Sequence, residues 1–329
     1  MYSSGRIYSS VFFGGGTPSL MMPVYIEDII NHLRSYFNIS SSAEITLETN
    51  PGTVDLEKLK HFFQSGINRI SIGIQSFDEN ELKFLTRIHD KITAVNTVLN
   101  AEKAGFENIS VDLIFNLPGQ TKKGWKNNLE IALSLPIKHI STYSLILERG
   151  TILNKMVLDG KVKLQDEDYD ADLYELTIDI LTSKGFNQYE VSNFSQPGYE
   201  CIHNLAYWRY RDYISFGTSA HSFMDGKRWW NFSSLKKYIN EIEKNSHAAA
   251  NYEILTEKQM FDEYVMLALR SSGLDLIDLK KKFGGGWINN KNDYFNLLVD
   301  ENLITMNDGW IKLTKKGYAV CDEILNNIL

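Results

Sequence analysis

The sequence predicts an α/β fold: a (β/α) barrel, or part of one, followed by a small winged-helix-like domain. Three observations predict it. From residue 11 to 150, short apolar runs alternate with stretches of helical apolar spacing, the pattern of parallel strands joined by crossover helices. Two of the helical stretches, 54–66 and 93–105, close on Gly66 and Gly105, as helix C-termini commonly do. Beyond residue 252 the alternation gives way to helices and one hairpin. The expected domains are therefore residues 1–245, the partial barrel, and residues 252–329.

The first strand is expected at Val11–Phe13, an apolar run that reads as fully buried and ends in Gly14, Gly15 and Gly16. The segment 23–37 has helical spacing. EITLETNPG (44–52) reads as a strand, 54–66 as a helix, and RISIGIQSF (69–77) as a strand followed by the helical stretch around 80–88. Residues 93–105 form a helix, NISVDLIFNLPGQT (108–121) a strand and loop, 125–135 a helix, and 139–150 a strand. In the last region Thr256 is an N-cap with Glu257 in the first turn. Two short helices follow, then a hairpin turning at Asn307-Asp308-Gly309, then one closing helix over 314–329.

Composition narrows the function. The chain has 329 residues, 43% of them hydrophobic, and a net charge of −7 with no long basic block, so a nucleic-acid role has no electrostatic support. From Ile254 onward there are 11 acidic and 9 basic residues, and the run Lys280–Lys282 reads as a solvated helix face. No apolar run is long enough for a membrane span, and the first residues lack the pattern of a signal peptide. The 2 cysteines, Cys201 and Cys321, lie far apart with no ligand spacing. The expected setting is cytoplasmic.

Barrels of this kind keep their chemistry at the C-terminal ends of the strands. Those ends carry Gly15, Gly16 and Thr17; Glu48 and Asn50; Gln75 and Ser76; Asp112 and Asn116; Ser144 and Glu148. The glycines leave backbone N–H groups open to a ligand. Asp112 stands inside VDLIF, where an unpaired carboxylate is expensive, and Arg87 is a candidate partner. A salt bridge within the core and a shared ligand site both satisfy it. The second region packs His203, Asn204, Tyr207, Trp208 and His221 into a short stretch. A neutral imidazole is a sound axial ligand for haem iron, and aromatic rings give flat apolar area. Cys201 reads as a small buried residue and a weaker ligand candidate, and His89 as a helix-end residue.

GGGTPS, ETNPG, SIGIQSF, TRIHD, DLIFNLPGQT, YEVSNF and HNLAYW occur in that order. The chain resembles the radical S-adenosylmethionine enzymes of the oxygen-independent coproporphyrinogen oxidase group and, within it, the HemW-type haem chaperones. The resemblance implies that Gly15, Gly16 and Thr17 meet the methionine end of S-adenosylmethionine, Glu48 its amino group and Arg87 its carboxylate. Gln75 and Asp112 would reach the ribose. HNLAYW resembles the HNxxYW signature of the chaperones, which implies His203 as axial ligand of the haem iron, with Tyr207 and Trp208 against the macrocycle. His221 could line the cofactor site.

The family also carries CxxxCxxC, whose thiolates hold a [4Fe–4S] cluster. This sequence contains no such motif, so the cluster is not expected here, and a chain shortened ahead of the GGGTPS turn is the expected reason. The resemblance implies a haem-binding protein that passes haem to haem-requiring acceptor proteins, with homodimerisation left open. The alternative is oxidative decarboxylation of coproporphyrinogen III; a third reading is a different (β/α) enzyme that uses the glycine turn for phosphate.

Overall fold

The structure, a computed structural model, describes residues 5–147 and 149–329. It divides into two compact units, one ending at His203 and one spanning Asn204–Leu329. The break lies ahead of residues 204–245, which the sequence assigned to the first domain. The reason is pairing: strands within that stretch bond to a strand at 249–254, which fixes them in the second unit.

In the first unit the order is β1 (Tyr8–Phe13), α1 (Pro23–Tyr36), β2 (Ile39–Thr49), α2 (Leu56–Gln64), β3 (Arg69–Gln75), α3 (Glu79–Phe84) and α4 (Lys91–Lys103). There follow β4 (Asn108–Phe115), α5 (Lys122–Leu133), β5 (His139–Ser144), α6 (Ile152–Leu158), α7 (Glu167–Ser183), β6 (Asn187–Gln188) and β7 (Asn193–Ser195). The sheet order is β1-β2-β3-β4-β5-β7-β6. The first five strands are parallel and β7 joins antiparallel, which makes a partial barrel. Side-chain caps set the helix starts: Asp55 accepts from the Lys58 amide, Asp90 from Thr93, Thr121 from Gly124 and Asp166 from Tyr169.

Alternation along each strand splits the sheet into two chemically different faces. Ile45 and Leu47, Ile70, Ile72 and Ile74, Ile109, Val111, Leu113 and Phe115, and Ile140 form one buried cluster with Leu59 and Phe62 of α2, Val98 of α4, Trp125 of α5 and Leu173 of α7. Each such side chain stabilises the fold by about 1.5–3 kcal/mol. The alternate positions are Glu44, Thr46 and Glu48; Arg69 and Ser71; Ser110 and Asp112; His139 and Ser141. β1 departs from expectation: an edge strand among the described residues, it is partly rather than fully buried at Val11–Phe13. The strand expected over 139–150 ends at Ser144, and Glu148 lies outside the described residues.

The helix α8 (Ile202–Trp208) runs across the division between the units. The second unit then has β8 (His221–Met224), β9 (Lys227–Asn231), α9 (Leu235–Asn245) and β10 (Ala249–Ile254), its strands forming an antiparallel sheet. After α10 (Glu257–Leu269) come β11 (Leu274–Asp275), α11 (Leu276–Phe283), α12 (Gly286–Asp300), β12 (Ile304–Asn307), β13 (Trp310–Leu313), α13 (Lys315–Ala319) and α14 (Cys321–Ile328). This is the winged-helix-like part. Thr256 caps α10 in a full capping box with Gln259. The hairpin turns with φ of 52° at Asp308 and 80° at Gly309, as a two-residue turn with both central residues left-handed requires. The single closing helix expected over 314–329 is instead two, because Val320 leaves helical geometry at φ −117°. Among the described residues no helix is long and apolar enough to cross a membrane.

Candidate functional site

The glycine turn lies beside Glu48. The Gly15 amide donates to Glu48 Oε2 at 3.1 Å, and φ at Gly15 is 109°, a conformation that side chains resist. A Cβ on Gly15 or Gly16 would meet nothing within 4 Å, so open space lies over both. Thr17 Oγ1 accepts from Asn50 Nδ2 at 3.0 Å, and Asn50 Oδ1 accepts from Arg87 at 3.3 Å. Thr17, Asn50 and Arg87 are thus one connected chain.

Burial, and then the charge of Asp112, raise the Glu48 carboxyl above its ordinary range. Burial likewise raises Asp112, against the Ser141 hydroxyl, Arg69, the Ser71 hydroxyl and Arg87; Ser71 Oγ donates to Asp112 Oδ1 at 3.3 Å. Desolvation lowers Arg87. The partner expected for Asp112 was Arg87, yet Arg69 acts on it more strongly. Arg69 opens β3, and a lone arginine at a strand start carries no motif signal; alternation with Ser71, Gly73 and Gln75 could have found it.

Left-handed backbone also occurs at two of these strand ends and just after α3. Gln75, Thr86 and Asn116 have φ of 71°, 56° and 61°, the left-handed region that non-glycine residues rarely adopt, and such residues cluster at ligand sites. Asn116 Oδ1 is buried without a hydrogen-bond partner. Gly73, not singled out in the sequence, is a close-approach position: a Cβ there would lie 2.9 Å from Asn50 Oδ1 and 3.0 Å from Gln75 Nε2. Ser76, by contrast, is buried and consumed by Glu81 and Asn128. Ser144 donates to Asp170 at 2.7 Å. His89 is also buried, with Nε2 3.1 Å from the Ile74 carbonyl, and so ties the TRIHD loop to β3.

His203 stands in the first turn of α8, half-buried. Its ring stacks on Phe12 at 4.6 Å with an interplanar angle of 19°, and Nδ1 lies 3.3 Å from Ser10 Oγ. Burial, helped by the positive charge of Arg69, pushes its pKa down to about 4, so the imidazole is neutral at physiological pH. Tyr207 packs edge-on against Tyr213 at 4.5 Å, and burial raises its phenol to about 12. Trp208 ends the helix, partly exposed. His221 is exposed on β8 and stacked on Trp230 at 5.7 Å.

The donor set fits a zwitterionic nucleoside: a glycine turn with open space over it, two carboxyl groups, a guanidinium, an amide and an orphaned buried oxygen at the strand ends. The cysteines that the chain contains do not fit a [4Fe–4S] cluster. Cys201 is buried, with its thiol donating to Glu44 at 3.4 Å. Cys321 is buried in the core of the second unit, and burial pushes its pKa to about 11.

Residues 3–132 match the model of the radical SAM superfamily. The heme chaperone HemW of Lactococcus lactis is 33% identical over 97% of this chain and 84% of its own length. The chain belongs to the HemW family. The Bacillus subtilis HemW is 32% identical over 97% of this chain and 85% of its own. A zebrafish (Danio rerio) relative, radical S-adenosyl methionine domain-containing protein 1, mitochondrial, is 34% identical over 98% and 75%. Among solved structures, coproporphyrinogen III oxidase (HemN) from Escherichia coli, a radical SAM enzyme, superposes with a TM-score of 0.81. It covers 98% of this chain and 78% of that one at 23% identity. That likeness carries the fold of the HemW family member and nothing of its chemistry.

Proposed function

We propose that the chain is a haem chaperone that takes the haem iron on His203 and hands the haem to haem-requiring proteins. The observation that carries the reading is the imidazole of HNLAYW: neutral near pH 7, with its ring orientation set by Phe12 and Ser10. A neutral, oriented imidazole is what axial ligation needs. The relatives named heme chaperone HemW support the same reading. Haemin titration should give a shifted, saturable Soret band that His203→Ala abolishes or displaces. Trp208→Ala should weaken binding with a similar spectrum, because contact area and not coordination is lost. A folded sample with no saturable binding would defeat the reading.

The second part of the reading is the organic half of an S-adenosylmethionine site. Gly15, Gly16 and Thr17 would face the methionine end, Glu48 its amino group, Arg87 its carboxylate, and Gln75 and Asp112 the ribose. Bound in this family, the cofactor supplies radical chemistry; this chain's residues bind and orient it. Asp112→Ala should weaken calorimetric binding by about 1.5–3 kcal/mol, the worth of a charged hydrogen bond. Unchanged affinity with lowered stability would make Asp112 a core residue alone.

A further inference from the structure

We infer that Glu44 is a positioning residue for His203, acting through the main chain of α8; this rests on His203 being the haem ligand. Glu44 lies on β2, 5% exposed. Its Oε1 accepts from the His203 amide at 3.1 Å and the Cys201 thiol at 3.4 Å, and its Oε2 from the Ile202 amide at 3.1 Å. One buried carboxylate therefore satisfies the opening donors of the helix that carries the imidazole.

The strand register explains the arrangement. Ser10 of β1 is paired with Glu44 of β2. Ser10 meets the His203 ring at Nδ1, its neighbour Glu44 meets the His203 main chain, and Phe12, two residues along the same face, stacks on the ring. Ring and backbone are held by adjacent positions of one strand pair. A seven-residue helix has little stability of its own, so its orientation depends on such contacts. Charge is balanced behind it: Arg69 Nε lies 3.8 Å from Glu44 Oε2, both side chains buried. A buried carboxylate holding three donors would otherwise be costly, and its contacts fix the main chain that carries the candidate ligand.

Glu44→Gln replaces one acceptor oxygen by a donor that faces an amide. In a sample folded by circular dichroism, haemin affinity should fall at least tenfold and the histidine-ligated Soret band should broaden or shift. Amide exchange at Ile202 and His203 should quicken. Where His203→Ala leaves residual haem binding with a displaced band, the same substitution in that background should cost it nothing further, an outcome that general destabilisation does not give. Should Glu44→Gln not fold, Glu44→Asp keeps the charge but shortens the reach, and the same comparison applies with a smaller loss. If His203→Ala removes the ligated band while both folded Glu44 variants keep wild-type affinity and spectrum, the positioning role is wrong and the ligand assignment stands. If His203→Ala changes nothing, the ligand assignment fails and this inference fails with it.

Discussion

In the first unit, one face of the parallel sheet buries Glu44, Arg69 and His139, and Glu190 is buried beside it. The core of the second unit, built on Val265, Leu269, Phe295, Ile311 and Ile324, is apolar. Among its described residues the buried polar side chains are Ser222 and Ser271, neither of them charged. An ion cluster there, Arg228 with Glu253 at 2.9 Å and Glu263 at 2.7 Å, remains partly exposed. Buried charge costs free energy unless it is paired and hydrogen-bonded. The unit that accepts this cost is the one with strained strand ends and the candidate ligands, whereas the other uses its polar groups for caps and turns.

The sharpest break of this comparison is Arg69→Met. It leaves Glu44 buried without its cation, and removing one partner of such a pair costs about 3–5 kcal/mol. Urea denaturation should show that loss; a cost no larger than that of a surface cap would mean the polar face is not under this tension.

Glu190 gives the next largest effect and a pH signature. Burial raises its pKa to about 7, against the Ser192 and Asn193 groups that lower it. The folded state therefore keeps a proton that the unfolded state releases near 4.5, and stability falls as pH rises from about 4.5 to 7. Glu190→Gln should remove that slope and stabilise the protein at pH 8 by on the order of 3 kcal/mol. Thermal melts across roughly pH 4.5–8 check it, and an unaltered slope would place the burden on other groups.

In the second unit the expected effect is smallest. Thr256→Ala removes the capping box of α10 and should cost about 1 kcal/mol, with no pH dependence between about 5 and 8. A loss as large as that of Arg69→Met would erase the contrast between the units.

Much of the fold and of the site is legible in the amino-acid sequence by itself. The strands at 69–75 and 108–115, the Thr256 cap and the Asp308-Gly309 turn come from local spacing and backbone preference, and GGGTPS and ETNPG meet through Gly15 with Glu48 and Thr17 with Asn50. The strands, the cap and the turn depend on residues within a few positions of each other. That Arg69 acts on Asp112 more strongly than Arg87, and that a Cβ on Gly73 would crowd the Asn50 amide, are set by neighbours far away in the chain. The pairing of Ser10 with Glu44, and of both with His203, joins segments nearly two hundred residues apart. Parallel strands take their register from packing across long connections rather than from a turn, so only the folded chain could bring that carboxylate to that helix.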